Sequence, residues 1–389
     1  MIDQVRELFE TTYWVEPTVI ARAPGRIEFV GNHTDYNGGD VLGVAVEQGI
    51  AIAARVRDDR IVRGMTQGGQ AAFECSLDDL GNRPDESSWS RYPLGVLWAI
   101  EEHGLKLEHG IDLAVVSNVP SGAGMSSSAA LELATAHAVL EGVNHELSRK
   151  DIVRICRYAE NNYVGVPCGI LDQGVSGFGK KDQLVFIDCK TETFSNVPIP
   201  HGTHFWIFNT DIAHSLIDSL YSERFSECGD GFKVAKSLHP NLECLVDYPL
   251  AELDSLAEHL GSKPFKRVKH ILEENQRVKD VVKLLNASDV DLHACGSLLF
   301  DSHASSRDLF ENSTDELDFL VAELSNFKEV YGARLTGGGF GGAVMAWTSS
   351  AFSPPDAESI SSRYQEQFGH PTRILHCESG DGAEVVWKA

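Results

Sequence analysis

The feature that most restricts the fold of this chain is an apolar strand, a glycine–serine turn and a long helix in direct succession at residues 111–142. The run IDLAVVSNV predicts the strand, and SSAALELATAHAVLEG predicts the helix. Glycines in the turn allow close backbone approach to a ligand, and the N–H groups, hydroxyls and dipole at the helix start favour phosphate. The alternative is a simple turn with a serine cap. The residues expected to contact phosphates are Pro120, Gly122, Gly124, Ser126, Ser127 and Ser128.

Glu132 follows Ser128 by one turn of the predicted helix and shares its face. A hydroxyl and a carboxylate together suit Mg²⁺, which often takes one or two protein ligands in addition to phosphate oxygens. Ser128 and Glu132 are therefore the candidate magnesium ligands.

Two further segments have the composition of ligand sites. Residues 336–342 hold five glycines in the run TGGGFGG between two strand-like stretches. Glycine is unfavourable inside strands, so this run predicts either a backbone loop against phosphates or a wide hairpin turn. Residues 25–37 place Arg, His and Asp directly after an apolar strand. Sugars require several convergent polar groups, so this second segment predicts a hydrogen-bonding pocket, with a solvated loop as the alternative.

The 389 residues exceed the size at which single hydrophobic cores stop growing, so two domains are expected. Strand and helix patterns alternate in an α+β arrangement. A loop-like stretch with two prolines, residues 189–204, marks the expected boundary. We expect helices at the N-terminus and at residues 91–103, 127–142, 150–165, 213–228, 266–286, 290–308 and 314–329, and strands at 18–31, 41–56, 111–119, 204–210, 333–339 and 343–348.

The net charge of −24 argues against general affinity for nucleic acid or anionic membranes. The eight cysteines form no CxxC pair and suggest neither a zinc site nor a compact disulfide framework. The first residues lack the apolar core of a signal peptide, and no apolar run approaches the roughly 20 residues that cross a bilayer. A cytoplasmic protein without nucleic-acid or membrane partners is expected.

Taken together, the three segments resemble the three motifs of the GHMP kinase superfamily and, within it, of the galactokinases. GRIEFVGNHTDYNGG (25–39) is similar to the galactokinase signature, VPSGAGMSSSAALE (119–132) to the phosphate loop, and LTGGGFGGAV (335–344) to the third motif. VPCGILDQGVSGFG (166–179) and the segment around Tyr221 narrow the match to galactokinase-like enzymes.

The resemblance implies two domains with the active site in the cleft between them. The N-terminal domain, residues 1–197, would resemble the second domain of ribosomal protein S5 with a left-handed βαβ crossover. The C-terminal domain, residues 198–375, would be ferredoxin-like, and the last strand, within 376–389, would return to the first domain. The resemblance also implies that the protein transfers a phosphoryl group from MgATP to the C1 hydroxyl of galactose. We expect the protein to be a monomer.

The same resemblance implies individual roles. Asp172 matches the catalytic aspartate, which accepts the proton of the C1 hydroxyl or orients it, and Arg26 matches the arginine beside it. Asp35 matches the residue that holds the sugar's ring hydroxyls. Trp89 and Tyr92 resemble the aromatic segment that packs on adenine, with ordinary core aromatics as the alternative. The residues implied to bind the sugar are Arg26, Asn32, His33, Asp35, Gly169, Asp172 and Tyr221.

The signature departs from the family at two positions, since galactokinases usually carry Glu where this chain has Asn32 and Asn where it has Glu28. The family's glutamate contacts the C6 hydroxyl. The two residues are four apart, so on a continuous strand they share a face and the acid and amide have traded places. We predict activity on galactose with looser tolerance at C6. A kinase for galacturonate or N-acetylgalactosamine and a non-catalytic sugar sensor are the alternatives.

Overall fold

The computed structural model describes residues 1–67, 72–85, 88–120, 122, 124–212 and 217–389, with the side chains of 217–219 excluded. Ser121 and Ala123 of the predicted phosphate turn, and the first four residues of the helix predicted at 213–228, lie outside these ranges. The helices in the described part are α1 (Ile2–Tyr13), α2 (Arg91–Glu102), α3 (Ser127–Gly142), α4 (Arg149–Ala159), α5 (Leu171–Phe178), α6 (Ile217–Leu238), α7 (Leu253–Ala257), α8 (Ser262–Leu285), α9 (Leu292–Ser305), α10 (Asp315–Leu324) and α11 (Pro354–Phe368). The strands there are β1 (Val19–Val30), β2 (Asp40–Val56), β3 (Ile61–Thr66), β4 (Phe73–Ser76), β5 (Ile111–Ser117), β6 (Gln183–Asp188), β7 (Thr193–Pro198), β8 (Thr203–Asn209), β9 (Val330–Thr336), β10 (Ala343–Ser349), β11 (Arg373–Cys377) and β12 (Glu384–Lys388).

The first sheet is built around β1 and β2. Its main order is β12-β1-β2-β5-β3-β4, and β6 joins β2 and carries β7. The long strand β2 divides its partners, because Asp40–Gly43 pairs with β6 and Ile50–Val56 pairs with β5. Only the β3–β5 pair among these described strands is parallel. The helices α2 to α5 bury their apolar residues together with this sheet in one core.

The second sheet is antiparallel, with the order β11-β8-β10-β9. Successive side chains of a strand point to opposite faces, and β8 shows this directly. Trp206 and Phe208 pack with α10 and α11, whereas Phe205 and Ile207 pack with α8 and α9. The sheet is therefore buried on both faces, which explains its continuous apolar runs.

The two sheets meet in a shared core. Ile27 and Phe29 of β1 belong to the same apolar cluster as Phe205 and Trp347 of the second sheet. The ring of Phe29 lies edge-on to Trp347 at a centroid distance of 5.5 Å. The chain's final strand, β12, pairs with β1 in the first sheet. The domain limits at residues 197 and 375 and the handedness of the crossover stay predictions.

The predicted loop at 189–204 is wrong in part, because Thr193–Pro198 forms β7 and pairs with β6 as a hairpin. Four of its six residues are exposed, among them Thr193, Ser195 and Asn196, as an edge strand with one solvated side permits. The helix predicted at 314–329 ends at Leu324, and the one beginning near 213 continues to Leu238. The helix α11 was not among the predicted elements, although Ser353 and Asp356 cap its start reciprocally and proline occupies its first turn.

All eight cysteines are free. No helix in the described part of the chain combines the length and apolar character needed to cross a membrane.

Candidate active site

A cavity of about 570 Å³ opens where β1, the start of α5 and the glycine-rich run after β9 converge. Polar groups from distant parts of the sequence face it. The predicted site residues in its wall are Arg26, Asn32, His33, Asp35, Tyr92, Gly169, Asp172 and Tyr221. The turn at 120–128 lies beside this cavity and touches it through contacts to Arg26 and Asp172.

Asp172 is held from two sides. It sits in the first turn of α5, where the helix dipole favours a negative charge. Arg26 donates from Nε and Nη2 to its Oδ1, at 2.8 and 2.6 Å, and Ser126 donates from its hydroxyl to Oδ2 at 2.5 Å. The Asp172 side chain keeps 25% exposure toward the cavity, whereas Arg26 is buried. The carboxylate is therefore fixed in orientation and still accessible to a ligand.

The predicted phosphate turn contacts the same ion pair. Gly122 and Gly124 have φ values of +72° and +63°, which glycine adopts without strain. Ser126 has φ +50°, a left-handed conformation that costs a residue with a side chain about 1–2 kcal/mol. Its hydroxyl binds Asp172 instead of capping α3, and the Gly124 carbonyl accepts from Arg26 Nη1. Strain of this kind concentrates at functional sites.

Asp35 lines the same cavity as Arg26 and Asp172. Its carboxylate accepts from the backbone N–H groups of Tyr36 at 2.9 Å and Leu171 at 3.2 Å. Burial, opposed by these bonds and reinforced by the charge of Asp172, raises the pKa of Asp35 to about 6. A side chain at Gly169 would overlap it, since a Cβ there would lie 1.8 Å from Asp35 Oδ2. Glycine at 169 therefore lets the carboxylate approach α5.

His33 is locked by both ring nitrogens. Nε2 lies 3.0 Å from the carbonyl oxygen of Gly338, so Nε2 carries the proton, and Nδ1 accepts from the Tyr36 hydroxyl at 2.9 Å. Burial lowers the pKa of His33 to about 3, which keeps it neutral. Its ring stacks on Phe310 and lies 5.1 Å from the ring of Tyr221. His33 and Tyr221 thus form one aromatic wall of the cavity.

Glu28 and Asn32 are in direct contact, although β1 ends at Val30 and the expected continuous strand does not reach Asn32: Asn32 Nδ2 donates to Glu28 Oε1 at 3.1 Å. Asn32 lies in the cavity wall, yet its side chain is enclosed. The same Nδ2 donates to the carbonyl of Gly337, and Oδ1 accepts from Asn312. Glu28 also lines the cavity and pairs with Arg334. The expected contact between Asn32 and a sugar stays a prediction that this bonding does not favour.

The candidate metal ligand Glu132 does not reach the cavity. It is fully buried, its Oε2 accepts from Gln173 at 3.0 Å, and its Oε1 has no hydrogen-bond partner among the residues that the structure describes. Burial raises the pKa of Glu132 well above its ordinary value. The cavity wall does not include Glu132, so its role as a magnesium ligand stays a prediction that this burial does not favour.

Glu160 takes the position expected of Glu132. It lines the cavity and lies near enough to the Ser128 hydroxyl for that group to lower its pKa. Burial, reinforced by the charge of Asp172, raises the pKa of Glu160 to about 7. The sequence carries a signal for it, because Glu160 continues the apolar stripe of α4, in line with Ile152 and Cys156. A carboxylate at a core position is unusual enough to mark a site.

Ser128 and Glu160 offer the hydroxyl and carboxylate oxygens that Mg²⁺ prefers. Within the described residues, no group of three or more His, Cys, Asp or Glu side chains is arranged to hold a metal ion. A magnesium ion here would therefore take its remaining ligands from a bound phosphate and water.

Only one of the two aromatic residues expected near adenine lines the cavity. Tyr92 lines the cavity, and Trp89 packs edge-on against Phe73 at 5.2 Å, at the margin of the first core. Arg91 lies between them in sequence, is buried and also lines the cavity. The sequence analysis did not single it out. A buried arginine in a cavity wall is a candidate for binding phosphate.

Three family descriptions match the chain: the GHMP kinases N terminal domain over residues 91–180, the galactokinase galactose-binding signature over 7–56 and the GHMP kinases C terminal domain over 281–370. A galactokinase of Roseiflexus sp. (strain RS-1) is 35% identical over 385 residues, covering 98% of this chain and 97% of the relative. A galactokinase of Thermotoga neapolitana is 36% identical over 366 residues, covering 94% and 99%. The crystal structure of Lactococcus lactis galactokinase complexed with galactose matches with a TM-score of 0.93 and 30% identity, covering 98% and 99%.

Proposed function

The chain belongs to the galactokinase family of the GHMP kinases, and we propose that it transfers the γ-phosphoryl group of ATP to the C1 hydroxyl of galactose. The observation that carries this proposal is the position of Asp172, whose carboxylate is held by Arg26 and Ser126 at the junction of the cavity and the phosphate turn. A hydroxyl beside this carboxylate would face a phosphoryl group on the turn.

On the sugar side, Asp35 supplies a carboxylate that accepts hydrogen bonds from ring hydroxyls. Charge-assisted bonds of this kind are stronger than those between neutral groups. The aromatic wall of His33 and Tyr221 gives the apolar face of the sugar a surface to pack on. With the ring held there, the C1 hydroxyl points to Asp172, which accepts its proton or orients its lone pair.

On the nucleotide side, the turn at 120–128 holds the triphosphate through backbone N–H groups and serine hydroxyls. Phosphoryl transfer passes through a loose transition state, so positioning and neutralisation of charge contribute most of the catalysis. Arg26 and Arg91 place positive charge in the cavity wall. Tyr92, with Trp89 behind it, is the proposed surface for adenine.

We assign the magnesium ligands of this site to Ser128 and Glu160. The ion offsets the negative charge of the phosphates when bound. Glu160 lines the cavity and lies near enough to the Ser128 hydroxyl for that group to lower its pKa, which supports assigning both oxygens to one ion. Glu132 stands one layer deeper, behind Gln173, whose amide donates to both carboxylates.

We also place the domain boundary near residue 197 and retain a monomeric, cytoplasmic protein as the expectation. The pairing of β12 with β1 supports assigning the chain's last strand to the N-terminal domain.

The proposal is tested by ADP release with MgATP and a panel of galactose, 6-deoxygalactose, galacturonate and N-acetylgalactosamine. We expect galactose to be phosphorylated, and Asp172→Asn, which keeps the shape of the side chain, to lose turnover by about 10²–10⁴-fold. Galactose binding by this variant, measured by calorimetry, should be retained.

Two outcomes would contradict the proposal. Preferred turnover of galacturonate or N-acetylgalactosamine would point to a kinase for a modified sugar. Galactose binding without ADP release by the wild type would point to a sensor.

A further inference from the structure

Gly337 begins the glycine-rich run after β9, and both of its backbone polar groups are bound by one pair of side chains. Its N–H donates to Glu28 Oε2 at 3.2 Å, and its carbonyl oxygen accepts from Asn32 Nδ2 at 2.8 Å. The residue has φ +82° and lies in the cavity wall. Glu28 on β1 and Asn32 in the turn after it thus bind the backbone of the residue that follows β9.

The amide of Asn32 has no capacity left for a ligand. Its two N–H hydrogens go to Glu28 and to the Gly337 carbonyl. Its oxygen accepts from Asn312 Nδ2 at 2.9 Å and from the Ser306 hydroxyl at 3.3 Å. An amide has two donors and two acceptor sites, and all four are used here. A sugar hydroxyl could bind Asn32 only by displacing one of these partners.

The chemical type at each position is fixed by its neighbours. Glu28 accepts from the guanidinium of Arg334 at 3.0 Å and from the Gly337 N–H, and both side chains of this ion pair are almost completely enclosed. Asn32 must donate to a carbonyl and to a carboxylate, which an acid in its place could not do when ionised. In this chain the neighbours therefore suit an acid at residue 28 and an amide at residue 32.

The position of Gly337 matters to the phosphate turn. A Cβ on Gly337 would stand 3.6 Å from the carbonyl oxygen of Gly124, and a Cβ on Gly124 would stand 3.2 Å from that of Thr336. The Gly124 carbonyl also accepts from Arg26. Gly337 is thus packed against the residue that connects the turn to the Arg26–Asp172 pair.

We infer that Glu28 and Asn32 are positioning residues, which fix Gly337 against the phosphate turn, and that Asn32 does not read the C6 group of the sugar. This inference rests on the proposed function, since it assigns the pair to phosphoryl transfer. It replaces the expectation, drawn from the sequence alone, that Asn32 loosens discrimination at C6.

The test is Asn32→Asp, which keeps the shape and replaces the donor facing the Gly337 carbonyl by an acceptor. A displacement of about 1 Å near the reacting groups can lower turnover by about 10²-fold. We expect kcat to fall by about ten- to a hundredfold. The dissociation constant of galactose, measured by calorimetry without nucleotide, should stay within about twofold. The ratio of kcat/KM for galactose to that for 6-deoxygalactose should also stay within about twofold. Weaker galactose binding by more than about fivefold, a changed ratio or an unchanged kcat would each overturn the inference.

Two variants guard against a general loss of folding. Asn32→Ala removes both bonds without adding a charge and should give the same split between kcat and galactose binding if Asn32→Asp is unstable. Ser306→Ala deletes a bond to the same amide without touching Gly337 and should keep kcat near the wild-type value. If the wild type prefers another sugar of the panel, the proposed function fails, and the same comparison with that sugar still tests the inference.

Discussion

Arg26 directs two N–H groups at one oxygen of Asp172, at 2.8 and 2.6 Å, and its remaining nitrogen at the carbonyl of Gly124. One side chain thereby couples the group that faces the sugar hydroxyl to the turn that faces the phosphates. The arginine is buried and is the element that fixes their relative position.

Arg26→Lys tests whether this geometry matters beyond the positive charge. A lysine ammonium lacks the rigid fork and cannot bind both Asp172 and the Gly124 carbonyl in the same way. We expect kcat to fall by about 10²-fold in an ADP-release assay at saturating substrates. Arg22→Lys is the matched control, because Arg22 lies on the same strand and its exposed guanidinium donates to the Glu47 carbonyl. Turnover of Arg26→Lys within about threefold of wild type would mean that charge alone suffices.

Glu160→Gln and Glu132→Gln separate the two candidate magnesium ligands. Glu160→Gln removes a carboxylate that we assign as a magnesium ligand. The magnesium concentration for half-maximal activity should therefore rise by about tenfold or more. Glu132 lies away from the cavity, so Glu132→Gln should change this concentration by less than about threefold. The measurement is a magnesium titration of ADP release at fixed free ATP. The reverse order of effects would restore Glu132 as the ligand.

The fold was largely predictable from local patterns. The strands β1 and β2 and the helix α3 are long, largely apolar segments, and the structure places them at the expected residues. The matches to the GHMP kinase descriptions confirm the α+β fold of that superfamily. The strand β7 was missed because an edge strand with polar side chains resembles a loop, and only its pairing with β6 identifies it.

The site was predictable only through the family resemblance. Arg26 and Asp172 are 146 residues apart, so no spacing rule brings them together. Ser128 and Glu132 lie one turn apart on α3. Their spacing predicts a shared helix face, but it does not show whether each side chain points to the cavity or to the core. Asn32 was expected to contact the sugar, and its saturated bonding depends on Asn312 and Ser306 from the other end of the chain.

The pKa of about 6 for Asp35 predicts acid inhibition of sugar binding. Only the ionised carboxylate accepts bonds with both oxygens, so KM for galactose should rise about tenfold per pH unit below about pH 6. KM for ATP at saturating galactose should stay nearly constant over the same range. A KM for galactose independent of pH between 7 and 5 would contradict the assignment.

The same raised pKa has a consequence for stability. The folded state binds the Asp35 proton more tightly than the unfolded chain does. Proton binding at Asp35 therefore stabilises the fold fully below the ordinary pKa of 3.8, and this stabilisation is lost as pH rises to about 6. Asp35→Asn should therefore unfold with a free energy about 1–2 kcal/mol higher than wild type at pH 7, while galactose binding is lost. The difference should shrink toward pH 4 in urea titrations. A destabilised Asp35→Asn at pH 7 would show that the charge is compensated in the native protein.

Glu274 on α8 gives the opposite dependence on pH. Its Oε1 accepts from the backbone N–H groups of Gly31 and Asn32, both at 3.1 Å, and its Oε2 accepts from Arg277 at 2.7 Å. Burial alone would raise the pKa of Glu274, but the charges of Arg277, His270 and Arg334 and a bond from Ser302 lower it to about 2. The carboxylate thus stabilises the fold above its ordinary pKa of 4.5, and this contribution is lost as pH falls toward 2.

Glu274→Gln should lower the free energy of unfolding by about 3 kcal/mol at pH 7, because it removes a fully buried carboxylate whose pKa is lowered from 4.5 to about 2 by its partners. The loss should diminish between pH 5 and pH 3, where the unfolded wild-type chain takes up a proton that the folded carboxylate still excludes. Urea unfolding at pH 7, 5 and 3 measures both effects. Glu273→Gln, the adjacent position, is the control, since Glu273 pairs with Lys269 and Arg277 only at 3.7 and 3.5 Å and should change stability by less than about 0.5 kcal/mol. An equal loss at all three pH values for Glu274→Gln would assign its role to hydrogen-bond geometry, because a contribution from charge must fade as the carboxylate is protonated.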